Sequence, residues 1–549
     1  MLSNRLIVAL TLLVILISNS KVSSQQYPPL YTFTGEAAGE SFGWSVSGAG
    51  DFDGDGYDDL IIGAWTSDAG GPQSGQVYVF SGRTGDTLYV ITGEQSFNQL
   101  GGATDGVSSI GDFNGDGYDD IIIGARFHRG VGSNSGRAYV FLGGPGPYPV
   151  RTGASSADMI ISGVSPGDRL GYSTSGAGDV NGDGYDDLII GATQDYGTVG
   201  SIGRAYVFLG DSVLPSAVSA SAADIILIGE AMGHLFGLSV TGAGDLNSDG
   251  FDDILVGAPQ RETGGTGGNA YVFLGGPGPY PNSILAPDAD MIFMGESTGD
   301  IFGVSTSFAG DINADGYADV IIGASLNDAG GTDAGRAYIF FGSSGPFPSI
   351  TDATAADVTI TGQAANGTFG TIVSGVGDVN SDGTHGLLIS ATPWDYASPN
   401  DSGHAFLFLV GFGPYPAFVS ASLADIVFTG DSTGDLFGAS SSYAGDVNGD
   451  GCNDIIIGAP KNDVGGTDAG RAYVYTACGY RGDVNNDGAD ANILDLTCLV
   501  DEIFRGGCPD LSNCLQELDV NSDGNPADIV DLTFLVDFIF RGGPAPGRC

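Results

Sequence analysis

One short stretch recurs along this chain and limits its fold more than any other feature. At residues 178–192 it reads Gly-Asp-Val-Asn-Gly-Asp-Gly-Tyr-Asp-Asp-Leu-Ile-Ile-Gly-Ala, and versions begin at Asp51, Asp112, Asp179, Asp245, Asp311, Asp378 and Asp446. Successive copies lie 61, 67, 66, 66, 67 and 68 residues apart. A period that regular marks one supersecondary unit repeated seven times, as in propellers and solenoids. Each copy carries oxygen-bearing side chains at positions 1, 3 and 5, Gly at 6 and, with one exception, Asp at 9. Alternate residues of a tight loop converge, the Gly permits the turn, and the carbonyl of position 7 adds a further oxygen. Hard oxygen donors in such a loop suit calcium.

The candidate ligands follow from that spacing. They are Asp51, Asp53, Asp55 and Asp59, then Asp112, Asn114, Asp116 and Asp120, then Asp179, Asn181, Asp183 and Asp187. The later loops supply Asp245, Asn247, Asp249 and Asp253, then Asp311, Asn313, Asp315 and Asp319, and finally Asp446, Asn448, Asp450 and Asp454. The exception holds only Asp378, Asn380 and Asp382, because Gly386 stands at position 9 beside His385. That loop is expected to bind weakly or stay empty.

Around each loop the pattern is that of strands. In the third copy residues 170–180 are small and alternating, 187–192 form an apolar run of buried-strand length, and 203–210 and 223–229 supply two more strands. Four antiparallel strands joined by Gly-rich turns describe a propeller blade. The seventh copy lacks its fourth strand, while residues 30–35 form an orphan strand near the N-terminus. Those residues are expected to complete the last blade and close the ring, since closure removes exposed sheet edges.

Residues 1–24 read as a secretory signal peptide: Arg5, an apolar run of 12 residues too short to span a bilayer, then a polar stretch with small residues before Gln25. No other long apolar run follows, so no transmembrane segment is expected after cleavage. The net charge is −49, from 66 acids against 17 Lys and Arg, which argues against nucleic acid as a partner. Of those acids 28 stand at calcium-ligand positions, so the acidity reads as metal sites.

The dipeptides Phe42-Gly43, Phe236-Gly237, Phe302-Gly303, Phe369-Gly370 and Phe437-Gly438 precede the loops, and Gly-Ala-Pro follows them at Gly257 and Gly458. This pattern resembles the FG-GAP repeat of the N-terminal propeller of integrin α chains. The resemblance implies a seven-bladed β-propeller with calcium loops on one face and ligand binding on the other. That second face is built from the connections between second and third strands, and here those connections differ most between copies. Binding residues concentrate on loops held by a rigid frame, with aromatic and Arg side chains as common anchors. Trp65, Arg126, Phe127, His128, Arg129, Tyr196, Arg261, Trp394 and Tyr396 are therefore the ligand-face candidates, with ordinary loop residues as the bland alternative. The recurrent third-strand Arg137, Arg204, Arg336 and Arg471 read as structural partners of carboxylates, and the aromatic Pro-Gly turns at 143–149, 275–281 and 411–416 as rigid spacers.

Beyond residue 478 the character changes. Two copies of a 36-residue unit open with the same calcium spacing and continue with apolar residues at helical intervals, Leu496, Leu499, Val500 and Ile503, then Leu532, Leu535, Val536 and Ile539. Their ligands would be Asp483, Asn485, Asp487, Asn492 and Asp495, then Asp519, Asn521, Asp523, Asp528 and Asp531. The pair resembles a type I dockerin, an EF-hand-like duplicated calcium-loop–helix module, which implies a cohesin-like partner. The closing Asp falls at position 13, one beyond the usual spacing, which weakens the cohesin assignment more than the fold.

The expected division is thus 1–24 signal peptide, 25–478 propeller and 479–549 dockerin-like domain: a mainly β protein with a small α-helical C-terminal module and about nine Ca2+ sites. Six cysteines, all beyond residue 450, fit an oxidising compartment. Among the 15 possible connectivities, Cys478–Cys549 and Cys508–Cys514 are the expected pairs, with Cys452 free. Three functions remain open. They are a secreted, non-enzymatic adhesion protein binding an extracellular protein or glycan, a polysaccharide-active component of a cellulosome-like assembly, and a passive surface spacer. Four His without zinc spacing and no Gly-x-Ser-x-Gly elbow weigh against the enzyme. An acid pair on the variable face, outside the metal loops, would revive it.

Overall fold

The computed structural model describes residues 28–103, 105–194, 202–260, 267–392, 402–409 and 415–476. They form seven sheets arranged as the blades of one propeller. Blade 3 shows the plan. Leu170–Gly178, Asp187–Ala192, Arg204–Phe208 and Ile225–Ile228 pair antiparallel in that order.

The second strand of each blade is apolar on both faces because it is sandwiched between neighbours. Asp120–Ala125 and Asp454–Ala459 are buried along their whole length. The hydrophobic core accordingly lies between blades. One slab joins Ile189, Val207 and Leu227 of blade 3 to Ile254, Val256 and Tyr271 of blade 4. Between neighbouring blades the packing leaves no room for a side chain at some positions: a Cβ on Gly124 would meet the carbonyl oxygen of Gly171 at 2.2 Å.

Two features differ from the four-strand expectation. Five of the seven sheets carry a fifth strand. It is a segment of two or three residues from the following blade's connection, such as Ser283–Leu285, running parallel to Ile225–Ile228. Such segments alternate exposed and half-buried residues and carry no apolar run to reveal them. The second is five single 3-10 turns of three residues, such as Ala220–Ala222, each burying one alanine.

Tyr31–Thr34 pairs antiparallel with Arg471–Thr476 and is the outermost strand of blade 7, so the first and last described strands share a sheet. Phe33 stacks on Phe80 of blade 1 at 4.2 Å, linking that edge to the next blade. The inner strands enclose a channel of about 110 Å³ lined by Ser47, Ser108, Ser175 and their counterparts in the other blades. Among the described residues no helix is long and apolar enough to cross a membrane.

Candidate functional site

The connection between first and second strands carries the acidic loop, and its backbone curls around its own carboxylates. In loop 1 the Gly56 N–H donates to Asp51 Oδ2 at 3.0 Å, the Asp55 N–H to Asp53 Oδ1 at 3.1 Å and the Tyr57 N–H to Asp55 Oδ1 at 3.1 Å. Asp59, fully buried at the start of the second strand, accepts from Asp53 N–H at 3.2 Å and from Gly82 N–H at 3.0 Å. Ligand oxygens of Asp51, Asp53 and Asp59 lie within 4.8 Å of one another. Asp51 Oδ1 is buried with no hydrogen-bond partner. An unpaired anionic oxygen facing two further carboxylates fits a hard divalent cation, the chemistry FG-GAP loops typically supply to Ca2+.

The remaining loops repeat this frame. The position-6 glycine donates to the first Asp in each, from Gly117 to Asp112 at 2.9 Å through Gly451 to Asp446 at 2.9 Å. Asn at position 3 changes the detail. Asn114 and Asn181 each turn an amide nitrogen toward the position-5 carboxylate at 2.9 Å. Loop 1 is consequently the one acidic cluster of three carboxylates among the described residues. Burial is the leading cause that pushes the ninth-position carboxyls up, Asp59 and Asp454 to about 8 and Asp120, Asp187, Asp253 and Asp319 to about 7, with like charges adding. A bound cation would oppose that shift.

Loop 6 keeps the curl, with Gly383 N–H on Asp378 Oδ2 at 2.8 Å, but Gly386 offers no ninth-position carboxylate. Its strands also pair without the irregularity that other blades show beside the loop, Gly375 standing opposite Leu387.

The connection between second and third strands lies at the other end of each blade. Trp65 is half-buried there, its ring 5.2 Å from Trp44. The Arg126 guanidinium stands over Phe127 at 5.0 Å and over Tyr172 at 4.9 Å. Arg129 is exposed. His128 is 0% exposed and faces Glu94 at 3.6 Å, while burial and Arg137 lower its pKa. It is a core residue of blade 2, which corrects its reading as a presented side chain. Tyr196, Arg261, Trp394 and Tyr396 lie outside the described residues, as do the signal segment, the loops at Asp483 and Asp519 and the proposed Cys478–Cys549 pair. Cys452 is fully buried and disulfide-bonded, which corrects the expectation of a free thiol.

Trp44 and Tyr172 were missed because they sit inside the repeated Phe-Gly segment, which reads as scaffold. Their signal was there: blades 4 to 7 have Leu238, Val304, Thr371 and Ala439 at that place. The third-strand arginines behave as structural partners. Arg137 holds Glu94 at 3.1 Å, Arg336 holds Glu296 at 2.9 Å and Arg471 holds Asp431 at 3.3 Å, each carboxylate lying on the connection that enters the arginine's own blade.

The FG-GAP repeat model matches residues 42–80, 107–141, 170–208, 236–273, 302–340 and 437–475, six blades without the one whose loop lacks its ninth-position Asp. The chain is 32% identical to integrin alpha-5 of Xenopus laevis over 226 residues, 40% of this chain and 20% of that one. It is 29% identical to integrin alpha pat-2 of Caenorhabditis briggsae over 271 residues, 47% of this chain and 21% of that one. With integrin alpha-PS2 of Drosophila melanogaster it shares 34% over 175 residues, 30% and 12% of the two chains. The matches thus span about a fifth or less of these relatives. On repeat, topology and sequence together, this chain carries FG-GAP repeats that form an integrin α-like seven-bladed propeller.

Proposed function

We propose that this is a secreted, non-enzymatic adhesion or ligand-binding protein whose propeller is rigidified by calcium and presents an extracellular protein or glycan ligand on the rim opposite the metal loops. The observation that carries it is the buried, unpartnered Asp51 Oδ1 among three converging carboxylates, in a frame repeated around the ring. The first, third, fifth and ninth side chains of each loop would hold the ion, and its charge would offset carboxylate repulsion that the apo loops cannot.

Residues 1–24 are proposed to direct secretion. Residues 479–549 are proposed to be a dockerin-like tether to a cohesin-type or surface partner, on the strength of their two calcium-spaced loops followed by helical periodicity.

Calcium titrated into chelator-stripped protein tests the core of the reading. Several ions per chain should bind and the thermal midpoint should rise, each site adding about 2.7 kcal/mol at a hundredfold excess over its Kd. An unchanged midpoint and no heat of binding would reject it. Arrays of matrix proteins and glycans, with and without chelator, then separate adhesion from a passive spacer.

A further inference from the structure

Among the described residues, blades 1 to 3 bring Trp, Arg, Phe and Tyr side chains to this rim, and Lys461 of blade 7 is paired with Asp468. Phe42 pairs with Ala64 and Leu170 with Ala192, so the residues after Phe-Gly and those after Gly-Ala share one end of each blade. There blade 1 carries Trp44 and Trp65, blade 2 carries Arg126 and Phe127, and blade 3 carries Tyr172.

Arg126 is unusual for this chain. Acids outnumber Lys and Arg 66 to 17, and Arg137, Arg336 and Arg471 each hold a carboxylate. Among the described residues Arg126 forms no ion pair, and its buried Nε has no hydrogen-bond partner. Two rings fix the guanidinium in place, and Arg169 approaches the Phe127 ring as well, at 5.3 Å. Burial, with Arg169 adding, pulls the Arg126 pKa down, so its charge is held at a cost that an incoming anion would offset. A planar guanidinium pre-oriented by rings is a receptor for a carboxylate, which it can grip through two parallel N–H bonds.

The neighbouring indoles indicate what bears that carboxylate. Trp44 and Trp65 are both half-buried, and each has a buried Nε1–H with no acceptor. Their partly exposed flat faces suit a ring with one apolar face, as a sugar presents. An acidic peptide side chain would not use those faces. The negative net charge does not oppose this, because 28 of the acids belong to metal loops and the field of exposed charges is screened within about 8 Å at physiological salt.

Building on the reading of this rim as the binding face, we propose that Arg126 anchors the carboxylate of a uronic-acid-bearing glycan whose neighbouring sugar rings lie against Trp44 and Trp65. The test uses the full chain with saturating calcium and a panel of glucuronate, galacturonate and mannuronate oligosaccharides, each beside its carboxyl-reduced twin, with hexaglutamate and matrix proteins run in parallel. At least one acid sugar should bind and lose tenfold or more on carboxyl reduction. Arg126→Gln should lose the same factor for the acid form and nothing for the reduced form, Arg126→Lys should fall between, and Trp65→Ala should weaken both forms equally. An unchanged calcium-dependent thermal midpoint certifies each fold, and Arg126→Lys carries the test should Arg126→Gln fail that check. The proposal is overturned if no acid sugar binds, if reduced twins bind equally, if Arg126→Gln and Arg126→Lys bind like the parent, or if hexaglutamate binds as tightly. Matrix proteins that bind independently of Arg126 would leave the face assignment standing and remove only the sugar.

Discussion

Asp119 and Asp120 are neighbours in sequence and belong to different metal loops. Asp120 closes the loop of its own blade, and that role is legible because the ninth position repeats within each copy. Asp119 reaches back to blade 1, where its Oδ2 accepts the Asp51 N–H at 2.8 Å. Asp58, Asp186 and Asp252 do the same for Asp446, Asp112 and Asp179 at 2.7, 2.9 and 2.9 Å. The partner lies 68 residues away for Asp119, so no local spacing announces it. The same contact explains the glycine before the first ligand in these four loops, Gly50, Gly111, Gly178 and Gly445. Gly50 has φ +64, and a Cβ there would sit 2.2 Å from Asp119 Oδ2. Asp119→Ala should leave the Asp51 N–H without its acceptor, costing about 1–3 kcal/mol in urea unfolding and weakening calcium at the first loop. Asp119→Asn, which keeps an acceptor, should cost less. Equal stability of the alanine variant and the parent would remove the contact's importance.

At the scale of elements, the aromatic Pro-Gly turns are more than spacers. Tyr148, on the turn after the third strand of blade 2, stacks on Phe52 at 5.0 Å, and its hydroxyl donates to the Phe52 carbonyl at 3.0 Å. Tyr280 and Tyr415 repeat the bond to Val180 and Ile312 at 2.9 and 2.7 Å. In each case the turn of one blade is fastened onto the metal loop of the blade before it. Blade 5 has Phe347 on its own turn, without a hydroxyl, where the Ser343 N–H meets the Leu246 carbonyl at 2.9 Å. Tyr148→Phe should therefore cost only about 0.5–1.5 kcal/mol. Tyr148→Ala, which also removes the ring from Phe52, should approach the ~3 kcal/mol typical of deleting a packed aromatic. Urea unfolding at saturating calcium measures both. The sequence displayed these turns clearly, yet their targets lie 96 to 103 residues away, and a turn's composition says nothing about what it rests on.

For the whole molecule, what was readable was whatever recurs. Seven loops in register predict seven blades, and the slabs of core between blades follow from second strands that are apolar on both faces. What could not be read was what joins unlike copies: the Asp staples, the parallel fifth strands and the burial of His128 beside Glu94. Closure of the ring belongs to this scale, because Tyr31–Thr34 is the one strand of blade 7 that comes from the far end of the chain. Its backbone covers the edge of Arg471–Thr476, and Leu30 N–H extends the pairing to the Val474 carbonyl at 2.7 Å. The Thr34 hydroxyl also accepts from Arg471 Nε at 3.2 Å. A secreted chain beginning at residue 36 would expose that edge and strip the Phe80 ring of Phe33. An unpaired edge of this kind is a template for pairing with a second chain. The truncated protein should therefore melt several degrees lower and show dimers or larger species in light scattering, with calcium restoring only part of the loss. Adding residues 28–35 back as a free peptide should return the monomer, since the missing strand supplies backbone pairing rather than a metal ligand. A truncated chain that stays monomeric and melts with the parent would mean that blade 7 stands on three strands, and that closure rests on the interblade slabs alone.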